Sequence, residues 1–235
     1  MFNRASVSGA TILACVGIFA LQEARAQNRP SKARQTPAQA LRRLQPDQAK
    51  IQDLSLRLKE ELLTLNRLRQ VQPNDPDYKA VPTQIAVQDE KVLQLSATIL
   101  SLIQESGLPD AILDQRQQIR TLMKNGLPDS ERQALREAGF TSGEIADLSA
   151  VIQLKAPDAL ANVDFDNQTK KTESMKGSAP TRSVVKIGAG ALLIGVDIGS
   201  RFIPLLNAVT AFEAITSVAS GAVLVEDGLK PAPAR

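Results

Sequence analysis

Histidine and tryptophan are absent from this 235-residue chain, and cysteine occurs once, at Cys15. Without histidine, Ser-His-Asp and Cys-His catalysis, HExxH zinc sites and imidazole general-base chemistry are all excluded. Aromatic residues make up only 3% of the sequence, so stacking platforms for bases or sugars are scarce. If Cys15 is lost with an N-terminal leader, the remaining chain has no disulfide, thiol nucleophile or cysteine-based metal site. What is present is rich in Leu, Ala, Gln and charged residues, a composition that favours helices. The fold class expected is all-α.

The leader is expected from the layout MFNRASVSGATILACVGIFALQEARAQ. Arg4 precedes an apolar run from Ala10 to Leu21, and the small-x-small triplet Ala24-Arg25-Ala26 follows. That is the order of a secretory signal peptide over 1–26, cleaved after Ala26. An organellar transit peptide would be amphipathic, whereas this core is apolar on every side. Ile12-Leu13-Ala14-Cys15 imitates a lipoprotein box, but the apolar run continues past Cys15, where a lipoprotein should turn polar. Export to a periplasm or the extracellular space is expected.

Residues 27–45 read as a flexible basic arm, polar and interrupted by Pro30 and Pro37. Between Gln27 and Gln70 ten basic residues face four acidic ones, a net of +6. Such a charge can be a solvated helix face, or it can draw in an anionic membrane surface or an acidic partner. Export makes nucleic acid the least suitable of the available partners.

Helical organisation is expected over 46–155. After Pro46-Asp47, apolar residues fall at Ile51, Leu54, Leu58, Leu62, Leu65 and Leu68, broadened by Leu56 and Leu63. These steps of three and four put one stripe on one helix face. Pro73-Asn74-Asp75-Pro76 ends that helix. A second stripe follows at Val81, Ile85, Val92, Leu95, Ile99 and Leu102, with Gln88 in its one polar slot. The short proline-containing link makes a long antiparallel hairpin the default, each arm a rod of about 35 Å at ~1.5 Å per residue.

The tetrapeptide GLPD occurs at Gly107–Asp110 and again at Gly126–Asp129, with a weaker copy at Gly139-Phe140-Thr141-Ser142. Each glycine stands where a helix would end with positive φ, and Pro-Asp or Thr-Ser would open the next. Thr141 and Glu144 have capping-box spacing. Backbone chemistry accounts for every position, so the repeat is read as punctuation between short capped helices rather than as a ligand loop.

From 156 to 182 the sequence turns polar and reads as a linker. Residues 183–228 then form a Gly/Ala-rich apolar segment, expected as a helical pair divided near Pro204, with a tail at 229–235. Ala191, Gly195 and Gly199 are spaced four apart, a small-xxx-small row suited to close helix packing or membrane contact. Asp197 and Arg201, also four apart, are placed to pair, and Glu213 is the lone charge in the second piece. A soluble buried pair, a membrane-associated hairpin and a strand arrangement all remain open for this segment. Its uncharged runs, Ile187–Val196, Phe202–Phe212 and Ala214–Val225, are shorter than a clean spanning helix needs.

Two sequence fragments suggest ligand chemistry. Gly188-Ala189-Gly190 lacks the third glycine of a dinucleotide-binding turn, since Leu193 stands there. Asn162-Val-Asp164-Phe-Asp166-Asn167 with Glu173 matches part of a calcium loop, but Asn167 replaces the required glycine. No catalytic residue, cofactor or metal site is therefore assigned. The expected function is that of an exported, non-enzymatic interaction or structural protein, using the hairpin and an oligomerising C-terminal segment to bind a protein partner or itself. The alternative is a membrane-active protein whose apolar hairpin enters a bilayer.

Overall fold

Thr36 opens the described chain as an N-cap. Its hydroxyl accepts from the Gln39 amide at 3.3 Å, and the Gln39 side chain accepts the Thr36 amide at 2.9 Å. The cap launches α1 (Pro37–Arg43) inside the expected flexible arm. Ala40, Leu41 and Leu44 are essentially inaccessible to solvent, so α1 packs its inner face into the core. Burying a leucine stabilises by roughly 1.5–3 kcal/mol, enough to order so short a helix on its neighbours.

The computed structural model describes residues 36–76, 78–201 and 207–230, all within one compact unit, Gln35–Arg235. The expected signal peptide at 1–26, residues 27–35 of the arm, the division near Pro204 and residues 231–235 of the tail lie outside the described residues. After α1 come α2 (Gln48–Arg69), α3 (Val81–Gln104), α4 (Leu108–Met123), α5 (Asp129–Glu137), α6 (Ser142–Ala159), α7 (Phe165–Ser174), α8 (Thr181–Ser200) and α9 (Ala208–Gly228). The class is all-α, and the strand alternative for 183–228 is overturned: no strand occurs among the described residues.

Helices α2 and α3 run antiparallel. Leu62 and Val92 meet over Gly188, while Ser55 and Ile99 meet over Gly195, so residue numbers fall along one helix as they rise along the other. The polar slot is explained by Gln88, which is buried and donates to the Glu61 carbonyl at 2.9 Å. Leu56, by contrast, is 53% exposed and does not broaden the buried stripe. On α3 the buried set extends beyond the expected one to Leu93, Ser96, Leu100 and Ile103, because α7 and α8 also pack against this helix. The pair is thus one wall of a core and not a free-standing rod.

Gly107, Gly126 and Gly139 have φ of +80°, +74° and +85°, the left-handed conformation that ends a helix with little strain only at glycine. Thr141 and Glu144 complete the second capping box, with mutual contacts of 2.9 and 3.3 Å. Asp110 and Asp129 act differently. Neither is an N-cap; both sit in the first helical turn, where their charge meets the positive end of the helix dipole.

The polar linker at 156–182 is also overturned. Helix α6 continues through Pro157 to Ala159. Helix α7 occupies 165–174, capped by Asp164, whose carboxylate accepts from the Asn167 amide at 3.0 Å. Buried Phe165, Gln168 and Thr172 mark the inner face of α7. Gln168 ties it to α9 by donating to the Ala222 carbonyl at 3.2 Å. The partial calcium motif is therefore a helix start: Asp164 is spent on its cap, and Asp166 pairs with Lys170 at 2.5 Å.

Candidate functional site

The most distinctive arrangement in the fold is the α8–α9 pair. Both helices are long and apolar enough to cross a membrane by length and composition, and both are mostly buried by the other helices. They cross with backbones almost in contact. A Cβ built on Gly190 would lie 2.4 Å from the Gly221 carbonyl oxygen, and one on Gly221 would lie 2.4 Å from the Gly190 oxygen. This reciprocal approach requires glycine on both helices. The Gly188-Ala189-Gly190 fragment is consequently mid-helix, without the strand that a dinucleotide turn needs.

The small-residue row faces other partners. A Cβ on Gly195 would fall 2.0 Å from the Ser55 hydroxyl, and one on Gly199 would fall 3.0 Å from the Gln52 Cα. Ala191 is fully buried. Gly195 and Gly199, expected to mediate oligomerisation or membrane contact, are occupied within the chain by α2. Gln48, also on α2, donates to the Ile198 carbonyl at 3.3 Å and to the Arg201 carbonyl, holding the end of α8 in place.

The structure brings Asp197, Arg201 and Glu213 together. The Arg201 guanidinium donates to both Asp197 oxygens at 2.9–3.1 Å and reaches Glu213 at 3.6 Å. Burial pushes the Asp197 carboxyl above its ordinary range; Arg201 opposes that push, and Glu213 adds to it.

A fourth member went unnoticed in the sequence. Glu131, in the first turn of α5, is 6% exposed, and neither carboxylate oxygen has a hydrogen-bond partner. Burial drives its pKa up to about 7, partly relieved by the neighbouring Ser217 hydroxyl and by Arg201 and reinforced by Asp197. A signal was present in the spacing. Glu131 stands three and four residues before Ala134 and Leu135, on the face that α5 buries. One guanidinium therefore binds two carboxyls, Asp197 and Glu213, and acts on the third, Glu131, only through its charge.

At the other end of the pair, Asp227 on α9 takes Lys186 of α8 at 2.5 Å and Lys155 of α6 at 3.5 Å. Burial alone would raise its pKa, but the hydrogen bonds and charges of the two lysines outweigh burial and hold it below the ordinary value. Asp89 on α3 accepts from the Thr181 hydroxyl at the start of α8 at 2.8 Å, with its pKa raised by burial. Among the described residues no cluster of three or more Asp, Glu, His or Cys is arranged to hold a metal ion. These groups fasten helices to one another. No protein family, curated protein or solved structure matches this chain.

Proposed function

We propose that the chain is an exported, non-enzymatic helical interaction protein in which α8–α9 is a permanent core and the surrounding helices present the contact surfaces. The observation that carries this reading is the position of the charges along the two apolar helices. Asp197 and Glu213 bound one end of the uncharged middle, and Lys186 and Glu226 bound the other. The charge-free runs, 187–196 and 214–225, are then about 15 and 18 Å long at ~1.5 Å per residue, against roughly 30 Å of hydrocarbon. Apolar runs of that length suit a buried core helix better than a span. The glycines of α8 also match specific side chains of α2 and α3, as a settled interface requires.

Because the apolar stripes of α2 and α3 and the small-residue row are occupied internally, partner contacts fall to the outer faces of the surrounding helices. The membrane-active reading is favoured by one specific observation. The sequence between the two helices, Phe202-Ile203-Pro204-Leu205-Leu206, is uncharged, which lowers the penalty for passing that stretch of chain through hydrocarbon. Liposome flotation separates the two readings. The core reading expects full-length protein to stay in the soluble fraction with neutral and anionic vesicles alike. Flotation that is lost when the chain ends at Gly177 establishes the membrane reading instead. Export is tested by the N-terminus of the mature protein, expected at Gln27, and the partner by crosslinking in the native compartment.

A further inference from the structure

We propose that α5 is a proton-controlled strap across the C-terminal end of α8 and the middle of α9 at Ser217, docked when Glu131 carries a proton and loosened when Glu131 is ionised. The proposal is independent of which partner the protein binds. It begins from a local imbalance. Glu131 is almost entirely out of solvent with both oxygens unpartnered, and an ionised carboxylate in that state is strongly disfavoured, whereas a protonated one is not.

Its neighbours compensate it only in part: Ser217 and Arg201 lower its proton affinity, but less than burial and Asp197 raise it. From α8 it faces Asp197, which repels it, and Arg201, whose guanidinium is committed to Asp197 by three hydrogen bonds. From α9 it meets the Ser217 hydroxyl, which also leans on the Glu213 carbonyl at 3.4 Å. Glu213 adds a further negative charge on the other side of Arg201. Within α5, the Arg132 side chain is bound to the Leu127 carbonyl at 2.8 Å. Lys59 of α2 is held by Glu137 at 3.2 Å.

Helix α5 is fastened at both ends, with Glu131 between the ties. Its C-terminal end is tied to α2 twice, by Lys59–Glu137 and by the Asn66 amide on the Ala138 carbonyl at 2.9 Å. At its N-terminal end Arg132 holds the Leu127 carbonyl at 2.8 Å, and the buried Leu127 donates its amide to the Ser149 hydroxyl of α6 at 3.1 Å; Glu131, Ala134 and Leu135 face inward between the two ends. Ionisation of Glu131 therefore acts on a strap held at both ends and loosens α5 between its ties.

The sign follows from linkage. A carboxyl whose folded pKa lies above its unfolded one binds its proton more tightly in the folded state, so folding is favoured as pH falls through the folded value and disfavoured above it. With the folded value near 7 and the ordinary one at 4.5, the folding constant should drop roughly 30-fold between pH 5.5 and 8.5. The chain has no histidine, which removes the side chain that ordinarily titrates in this window.

The test uses the full chain, with urea unfolding and amide hydrogen exchange at pH 5.5, 7.0 and 8.5, corrected for intrinsic exchange rates. Wild type should lose stability as pH rises, and amides of 129–137 should lose protection before those of α8 and α9. Glu131→Gln, which keeps the shape without the charge, should abolish the slope and be the more stable protein at pH 8.5. Should that variant fail to fold, Glu131→Ala reads the same slope. A pH-independent wild type, or a slope that survives in either variant, overturns the proposal. So does a slope with no selective loss of protection in α5.

Discussion

Gly190→Ala tests the closest approach in the molecule. The added methyl carbon would stand 2.4 Å from the Gly221 oxygen, 2.8 Å from Val225 Cγ2 and 3.0 Å from the Val225 amide nitrogen. Ordinary contact begins near 3.4 Å. Because the nearest obstacle is backbone, rotamer changes cannot clear it, and α8 and α9 must part by about 1 Å. A gap of that size forfeits up to half of each dispersion contact of ~0.1–0.2 kcal/mol, over some tens of atom pairs. The loss is then about 2–3 kcal/mol, in the usual range for overpacking. Against it stands a helix-propensity gain of about 1 kcal/mol for Gly→Ala. A net destabilisation of about 1–2 kcal/mol is expected, seen as a fall in Tm of roughly 2–8 °C for a chain of this size. Gly143→Ala is the control. Nothing lies within 4 Å of a Cβ there, so only the propensity gain remains, and stability should rise by up to ~1 kcal/mol. Adding Gly221→Ala to Gly190→Ala should hurt less than the sum of the singles, since the helices have already separated. If Gly190→Ala behaves like Gly143→Ala, the reciprocal crossing does not exist and the core has been misassigned.

Three further outcomes follow from the polar groups around the core. Asp227→Asn should destabilise by about 1–2 kcal/mol at pH 7, by weakening the clasp on Lys186 and Lys155. Because the folded pKa of Asp227 lies below its ordinary 3.8, its contribution is present above that value and lost as pH falls through the folded one. The difference between variant and wild type should therefore vanish in strong acid, as thermal scans across pH would read. Arg201→Ala leaves buried Asp197 without its cation beside Glu131 and Glu213, and should cost about 2–3 kcal/mol by urea unfolding, given partial solvent access. Gln88→Leu should be within about 1 kcal/mol of wild type, since it replaces a buried amide by an apolar group of similar volume; a larger loss would mean that the Glu61 contact fixes the α2–α3 register.

What could be read from the sequence was set by the range of the interactions involved. Gly107, Gly126 and Gly139, together with Thr141 and Glu144, act over four or five residues, so their conformations were legible from spacing alone. The α2 stripe was legible because it is long and faces one way. Helix α7 was not, because two of the three residues on its inner face are polar. Gln168 is buried only because the Ala222 carbonyl, 54 positions away, accepts its amide, and no local pattern reports that. Helix α1 was hidden for a related reason. Pro37 looked like an interruption, yet proline is at home in the first turn of a helix, and Gln39 supplied the other half of a capping box.

The C-terminal segment shows why hydropathy alone could not assign the apolar pair. Length and composition pass both helices as spans, and a small-residue row is what a membrane interface would also use. What separates the possibilities is the position of the few charges and the identity of their partners. Asp197 and Arg201 satisfy each other one turn apart, which was legible. Glu213 joins them from the opposite helix and Glu131 from a third, which was not. In hydrocarbon those carboxyls would have to be neutralised or dragged to an interface. Inside the helical sheath, one of them is left without a partner, with its proton affinity set near neutrality. The same feature that argues for a core over a span thus makes the core responsive to pH.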